Sequence, residues 1–202
     1  MSEKKIWWDN YSDKWISGRN EPVTINTGDA DGFKNLSQLP IIKYINNMSN
    51  DKIVLDIGVG TGRYLNNFVN YKKLYGIDFI EKFIIVANKI KPINCDLSVD
   101  DVVNLNFNKA IDIMFTMTCL QHILPDQIDK SIKNLTQLNA NDIILWECTN
   151  DSYTCNGFED KNDDHMWGHN YIELFKKYNY ELVYSILHEN NITFLLHFTK
   201  IV

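Results

Sequence analysis

The sequence predicts an α/β protein built on a seven-stranded, mostly parallel sheet with helices on both faces and a reversed last strand. Short apolar runs alternate with helical periodicity along the chain, the order of strand–helix units. The run Ile53-Val54-Leu55-Asp56-Ile57 is closed by Gly58, the profile of a buried parallel strand. Only His188-Glu189-Asn190-Asn191 separates the last two β segments, too little chain for a parallel crossover, so they pair antiparallel.

The elements follow in order. Residues 1–35 are aromatic and polar, with Trp7, Trp8, Tyr11 and Trp15, and read as an N-terminal arm. Leu39, Ile42 and Ile45 recur at a spacing of three and predict a helix over 36–48, with Pro40 tolerated in its first turn. After the first strand a helix is expected with Leu65, Phe68 and Val69 on one face. A second strand covers 74–78, a second helix 80–90 and a short third strand 92–96. The fourth strand is 111–117, and Ile128, Ile132 and Leu135 stripe the helix behind it. A fifth strand over 142–147 leads into a polar loop from 149 to 167, a length that is uncommon unless functional. A helix over 170–178 and strands over 181–188 and 192–200 finish a single domain.

Composition narrows the function classes. With 202 residues, 45% apolar and 23% charged, the chain suits one ordinary globular core. The net charge of −6 opposes a nucleic-acid partner, which demands a basic surface. No apolar run reaches the ~20 residues that span a bilayer. The opening Met1–Trp8 segment lacks a secretory core, so a cytoplasmic location is expected. Cys95, Cys119, Cys148 and Cys155 show no CxxC spacing, so no metal site is expected from them, and buried free thiols are the reading for Cys95, Cys119 and Cys148, which lie in or just after apolar runs.

The most informative stretch is Val54-Leu55-Asp56-Ile57-Gly58-Val59-Gly60-Thr61-Gly62-Arg63. Glycines leaving a strand let the backbone turn sharply and approach a ligand without a Cβ in the way. Arg63 stands where a dinucleotide fingerprint needs glycine, and Asp56 would repel a pyrophosphate but welcome an ammonium or sulfonium. The stretch resembles motif I of class I S-adenosylmethionine-dependent methyltransferases. Tyr75-Gly76-Ile77-Asp78 is similar to their second motif, Asn94-Cys95-Asp96-Leu97 to their third-strand motif, and Phe115 to Ile123 to the segment after strand four. The resemblance covers residues 36–200 and implies a Rossmann-like fold and S-adenosylmethionine as cofactor. It implies that Gly58, Gly60 and Gly62 line the methionine and ribose portion, with Asp56 near the amino group. Asp78 would hold the ribose hydroxyls, and Asp96 with Leu97 the adenine. Each acid has a structural alternative as a turn former or cap.

Candidates for the acceptor side come from the carboxyl edge of the sheet, where open α/β folds bind ligands. His122 is the candidate general base, with a helix-start histidine as the alternative. Gln121 is placed to orient a substrate. Glu147 ends the fifth strand and is a candidate to polarise a hydroxyl or bind an ammonium, or else to cap a helix. His165, Trp167 and His169 are the acceptor-recognition candidates of the long loop, which holds two histidines four apart but is not expected to bind metal. The aromatic arm is a candidate lid. The segments Leu120-Gln121-His122-Ile123 and His165-Met166-Trp167-Gly168 resemble methyltransferases of sugars or glycan ends, implying a small-molecule or glycan hydroxyl as acceptor. The alternatives are a small amine, a non-catalytic binding partner with the same fold and, more distantly, a nicotinamide-dependent reductase. The sequence leaves the oligomeric state open.

Overall fold

The computed structural model describes residues 8, 9, 12, 13, 16, 36–148, 166–188 and 193–201. Seven strands form one sheet: β1 (Ile53–Ile57), β2 (Lys73–Asp78), β3 (Cys95–Val99), β4 (Ile113–Met117), β5 (Asp142–Cys148), β6 (Tyr180–Leu187) and β7 (Thr193–Lys200). Their order is β3-β2-β1-β4-β5-β7-β6. The first five are parallel, and β7 runs antiparallel to both β5 and β6. The strand order reverses between β1 and β4, which opens a crevice at their carboxyl ends.

Side-chain alternation sorts the core into two layers. Val54, Leu74, Ile113, Phe115, Ile144 and Trp146 face helix α1 (Pro40–Met48), which buries Ile41, Ile42 and Ile45. Leu55, Ile57, Met114, Ile143 and Leu145 face the opposite way, onto α3 (Ile128–Gln137) and α4 (Tyr171–Lys176). Between them in sequence, α2 (Glu81–Ala87) joins the first layer through Ile84. Helices therefore cover both faces, as the alternating pattern requires.

Three of the differences from the sequence reading have a local reason. Residues 36–38 form a 3-10 turn, and the helix starts only at Pro40, because the residue before a proline avoids the helical region and Leu39 is extended at ψ 131°. The helix expected after the glycines is reduced to a 3-10 turn, Leu65–Asn67. There the Asn46 side chain donates to the Asn67 carbonyl and accepts the Val69 N–H, both at 2.9 Å, replacing helical bonds with bonds to α1. Leu65 and Phe68 are buried all the same. The third strand lies three residues later than 92–96, because the Cys95 N–H closes a turn on the Pro92 carbonyl and Cys95 is the residue that meets Leu74.

Candidate active site

A cavity of about 300 Å³ opens at the carboxyl ends of β1, β2 and β4. Its floor is the turn after β1. Gly58, Gly60 and Gly62 all have positive φ, at 78°, 55° and 78°. They do different work. A Cβ on Gly58 would lie 2.5 Å from the Cys119 sulfur, so this glycine lets the turns after β1 and β4 touch. A Cβ on Gly62 would meet that of Ala87 at 2.9 Å, so it seats the turn on α2. Gly60 alone has nothing within 4 Å of a Cβ. It is the bare surface that a ligand can approach.

Two acids flank this floor. Asp78, at the end of β2, accepts the Gly60 N–H on one oxygen and the Ile80 N–H on the other, both at 2.9 Å. It thus fixes the glycine turn and starts α2. Burial pushes its carboxyl up to about 6, even though the backbone donors pull the other way. Asp56 is 4% exposed and held well above the usual carboxylate range, first by burial and then by the Asp78 charge. Two buried acids side by side form a site that gains on receiving a cation or hydroxyl donors.

The opposite wall is the turn after β4, and a buried carboxylate shapes it. Glu147 accepts the Thr116 hydroxyl at 2.6 Å and the N–H groups of Cys119, Leu120 and Gln121 at 2.8, 3.0 and 3.1 Å. Thr118 is pinned at φ 54°, and the 3-10 turn Leu120–His122 follows. His122 comes out of this turn into the cavity, where its ring meets Trp8 edge to face at 5.0 Å. Trp8 is the described member of the aromatic arm at this wall, and Lys82 of α2 ties the arm down through Asp13 at 2.8 Å. Trp7, Tyr11 and Trp15 lie outside the described residues.

The expected site residues thus divide. Asp56, Gly58, Gly60, Asp78 and His122 line one cavity, with Gly62 behind its floor. Asp96 and Leu97 do not reach it. The later start of β3 puts Asp96 at the amino end, where it pairs with Lys73 at 2.7 Å and Lys91 at 3.8 Å. Leu97 packs into the core layer beside α1. Glu147 is corrected from crevice to interior: it shares the parity of Thr116 and so points to the sheet face away from Asp56. The Gln121 side chain is buried and accepts the Cys148 N–H at 3.2 Å, while its carbonyl accepts the Trp167 N–H at 2.8 Å. His169 is buried, its Nε2 3.0 Å from the Ile123 carbonyl. Neither it nor Trp167 is among the described residues lining the cavity, and His165 lies outside the described residues. No group of three metal-ligating side chains occurs among the described residues.

The polar lining residues Asp100, Asp101, Arg63 and Tyr64 are among those the sequence reading did not assign to the site. Asp100 and Asp101 follow β3 at the carboxyl edge, where the Asp100 N–H bonds the Asp78 carbonyl at 3.0 Å. The pair Asp100-Asp101 after the run Leu97-Ser98-Val99 was their available signal. Arg63 and Tyr64 stand at the end of the glycine turn, the guanidinium donating to the Tyr64 hydroxyl.

Residues 54–141 match the family described as methyltransferase domain. The chain is 34% identical over 83 residues to protein 235L of Invertebrate iridescent virus 6, assigned as a methyltransferase, a stretch covering 40% of this chain and 31% of that protein. It thus spans about a third of the length of the curated relative it matches. Among solved structures, the magnesium protoporphyrin IX methyltransferase ChlM of Synechocystis PCC 6803 with bound SAM superposes at a TM-score of 0.71, with 12% identity over 100% of this chain and 99% of that one. The [4+2]-cyclase SpnF gives a TM-score of 0.72 and 14% identity over 97% and 95%. At such identities the likeness is one of fold.

Proposed function

We propose that this chain, whose residues 54–141 form a methyltransferase domain on the class I fold, binds S-adenosylmethionine in the cavity and methylates a small polar acceptor. The observation that carries the reading is the open face of Gly60 between two buried acids, within one cavity that also holds His122. The donor set fits a nucleoside that bears a cation. Asp56 would take the ammonium end and gain the partner its burial withholds; Asp78 has lone pairs left for ribose hydroxyls. Val102 and Asp101 supply an apolar and a polar edge for the adenine, and Arg63 a counter-charge for the methionine carboxylate. When bound, the cofactor supplies an electrophilic methyl group on sulfur.

What the chain adds is alignment, desolvation and a proton acceptor. Alignment alone can contribute ~7–11 kcal/mol to such a displacement. Trp8 shields the wall from water. His122 would accept and hold the proton of an attacking hydroxyl, and an oxygen of a sugar or glycan end is the leading acceptor. The acid-rich lining of Asp56, Asp78, Asp100 and Asp101 supports a second reading, in which a small amine is the acceptor. That the same fold serves a [4+2]-cyclase, SpnF, supports a third alternative, a protein of this fold that binds its ligand without transferring a methyl group.

Calorimetric titration with S-adenosylmethionine, then incubation with methyl-labelled cofactor and separate pools of glycans and amines, tests all three. Binding with label in a glycan product is expected. No binding sinks the cofactor, label only in amines selects the second reading, and binding without product selects the third.

A further inference from the structure

The two edges of the sheet differ in kind. At one edge β3 is five residues long and carries Asp96 in ion pairs with Lys73 and Lys91. Charges and shortness of this sort keep an edge from pairing. At the other, β6 is eight residues long, and Val183, Tyr184, Ser185, Ile186 and Leu187 are all exposed. No charged side chain lies between Glu181 and His188. A long apolar edge without such guards is a template for another strand.

The backbone shows where pairing would centre. The His188 N–H bonds the Thr193 carbonyl at 2.8 Å, and Ile186 and Tyr184 stand opposite Leu195 and His197. By antiparallel alternation these residues turn their amide groups inward to β7, so Ser185 and Leu187 turn theirs to the open edge. The bulge between Leu182 and Tyr184 takes Val183 out of the ladder.

We propose that β6 pairs antiparallel with β6 of a second copy of this chain, about a two-fold axis at Ser185, joining two sheets into one. A two-fold axis through a hydrogen-bonded pair falls on a residue whose amide faces outward, and Ser185 is the one at the middle of the exposed run 183–187. About that centre the exposed run is symmetric. Tyr184 of each copy falls opposite Ile186 of the other, a twice-repeated apolar pair on the face where Tyr44 stacks on Tyr184 at 5.1 Å. Charge favours this register too. Copies with a net charge of −6 repel over most of their surface, but meet here along uncharged residues 182–187. The antiparallel order also brings the Glu181 end of each strand to the His188 end of the other. The cavity lies at β1, β2 and β4, beyond β5 and β7, and stays open.

Cysteine trapping tests the geometry in a Cys155→Ser background of the full chain. Directly opposed hydrogen-bonded residues sit about 5.5 Å apart between Cα atoms, within disulfide reach. Ser185→Cys is expected to oxidise to a linked dimer, whereas Tyr184→Cys, opposite Ile186 and not itself, is expected not to. Sedimentation equilibrium of the wild type is expected to show a dimer, weakened at least about tenfold by Ile186→Lys with S-adenosylmethionine binding unchanged. Equal trapping at both positions, or a dimer indifferent to Ile186→Lys, would overturn the proposal. So would a monomer at about 100 µM. Hydrogen exchange then says what replaces self-pairing: protected Ser185 and Leu187 amides mean a cover from the same chain, and unprotected ones an edge left for a different protein.

Discussion

At the residue scale, the glycine turn separates ligand space from folding space. Gly60→Ala places its Cβ in open cavity, so its cost to folding is the positive φ alone, roughly 1–2 kcal/mol. Gly58→Ala drives a Cβ into Cys119 as well. Calorimetry and thermal melts are expected to show at least tenfold weaker S-adenosylmethionine binding for Gly60→Ala, with the larger stability loss in Gly58→Ala. Undiminished binding by Gly60→Ala would clear the turn of a ligand role. His122→Gln keeps size and polarity but accepts no proton, so kcat should fall about 10²–10⁴-fold for an oxygen acceptor, with binding retained. A pH–rate profile that keeps its acid limb in that variant would remove His122 as base.

Asp78 makes a signed pH prediction. Its folded value of about 6 exceeds the ~3.9 of an unfolded aspartate. Below pH 4 both states hold the proton and the contribution is fully present. Between 4 and 6 the folded state holds a proton that the unfolded state has released, so stability falls as pH rises and the loss is complete above 6. Wild-type stability minus that of Asp78→Asn should therefore drop by on the order of 2–3 kcal/mol from pH 4 to 7 in denaturant titrations. Ribose hydroxyls donate to the ionised form, so S-adenosylmethionine affinity should rise over the same interval. A flat or falling affinity would contradict a ribose contact at Asp78.

At the element scale, the turn after β4 depends on a side chain from β5. The Glu147 carboxylate gathers one hydroxyl and three backbone donors from residues 116–121, and burial raises its pKa against them. Glu147→Ala leaves those donors buried and unpaired, which costs about 1–3 kcal/mol or more. Since Glu147 holds the turn and does not line the cavity, Glu147→Gln, which keeps one acceptor oxygen, should recover part of both the stability and the kcat lost in Glu147→Ala. Recovery in neither would mean that the charge acts directly. Of the element pattern, β1, β4 and β5 were legible because they are buried on both faces and read as continuous apolar runs. The bounds of β3 were not: it is an edge strand with four of five residues at least partly exposed, so the apolar pair Pro92-Ile93 was a false cue to where it starts.

At the scale of the whole molecule, both core layers meet the crevice at its strand ends, so filling the crevice should stabilise the entire sheet. S-adenosylmethionine at about a hundred times its Kd adds about 2.7 kcal/mol, which in a chain of this size raises Tm by roughly 5–10 °C. A melt indifferent to the ligand would contradict a site at the β1–β4 junction. No helix among the described residues is long and apolar enough to cross a membrane.

The sequence by itself determined the α/β class, the reversed last strand, the glycine turn and the acids Asp56 and Asp78. These rest on local chain chemistry: apolar runs, loop length and backbone freedom are properties of neighbours along the chain. Only the tertiary structure decided that Glu147, Gln121 and His169 face inward while Asp100, Asp101 and Arg63 face the cavity. Strand register and side-chain parity set those directions. Both arise from pairing between segments far apart in the chain, so the three-residue displacement of β3 takes Asp96 away from the cavity and one step along β5 turns Glu147 to the other face.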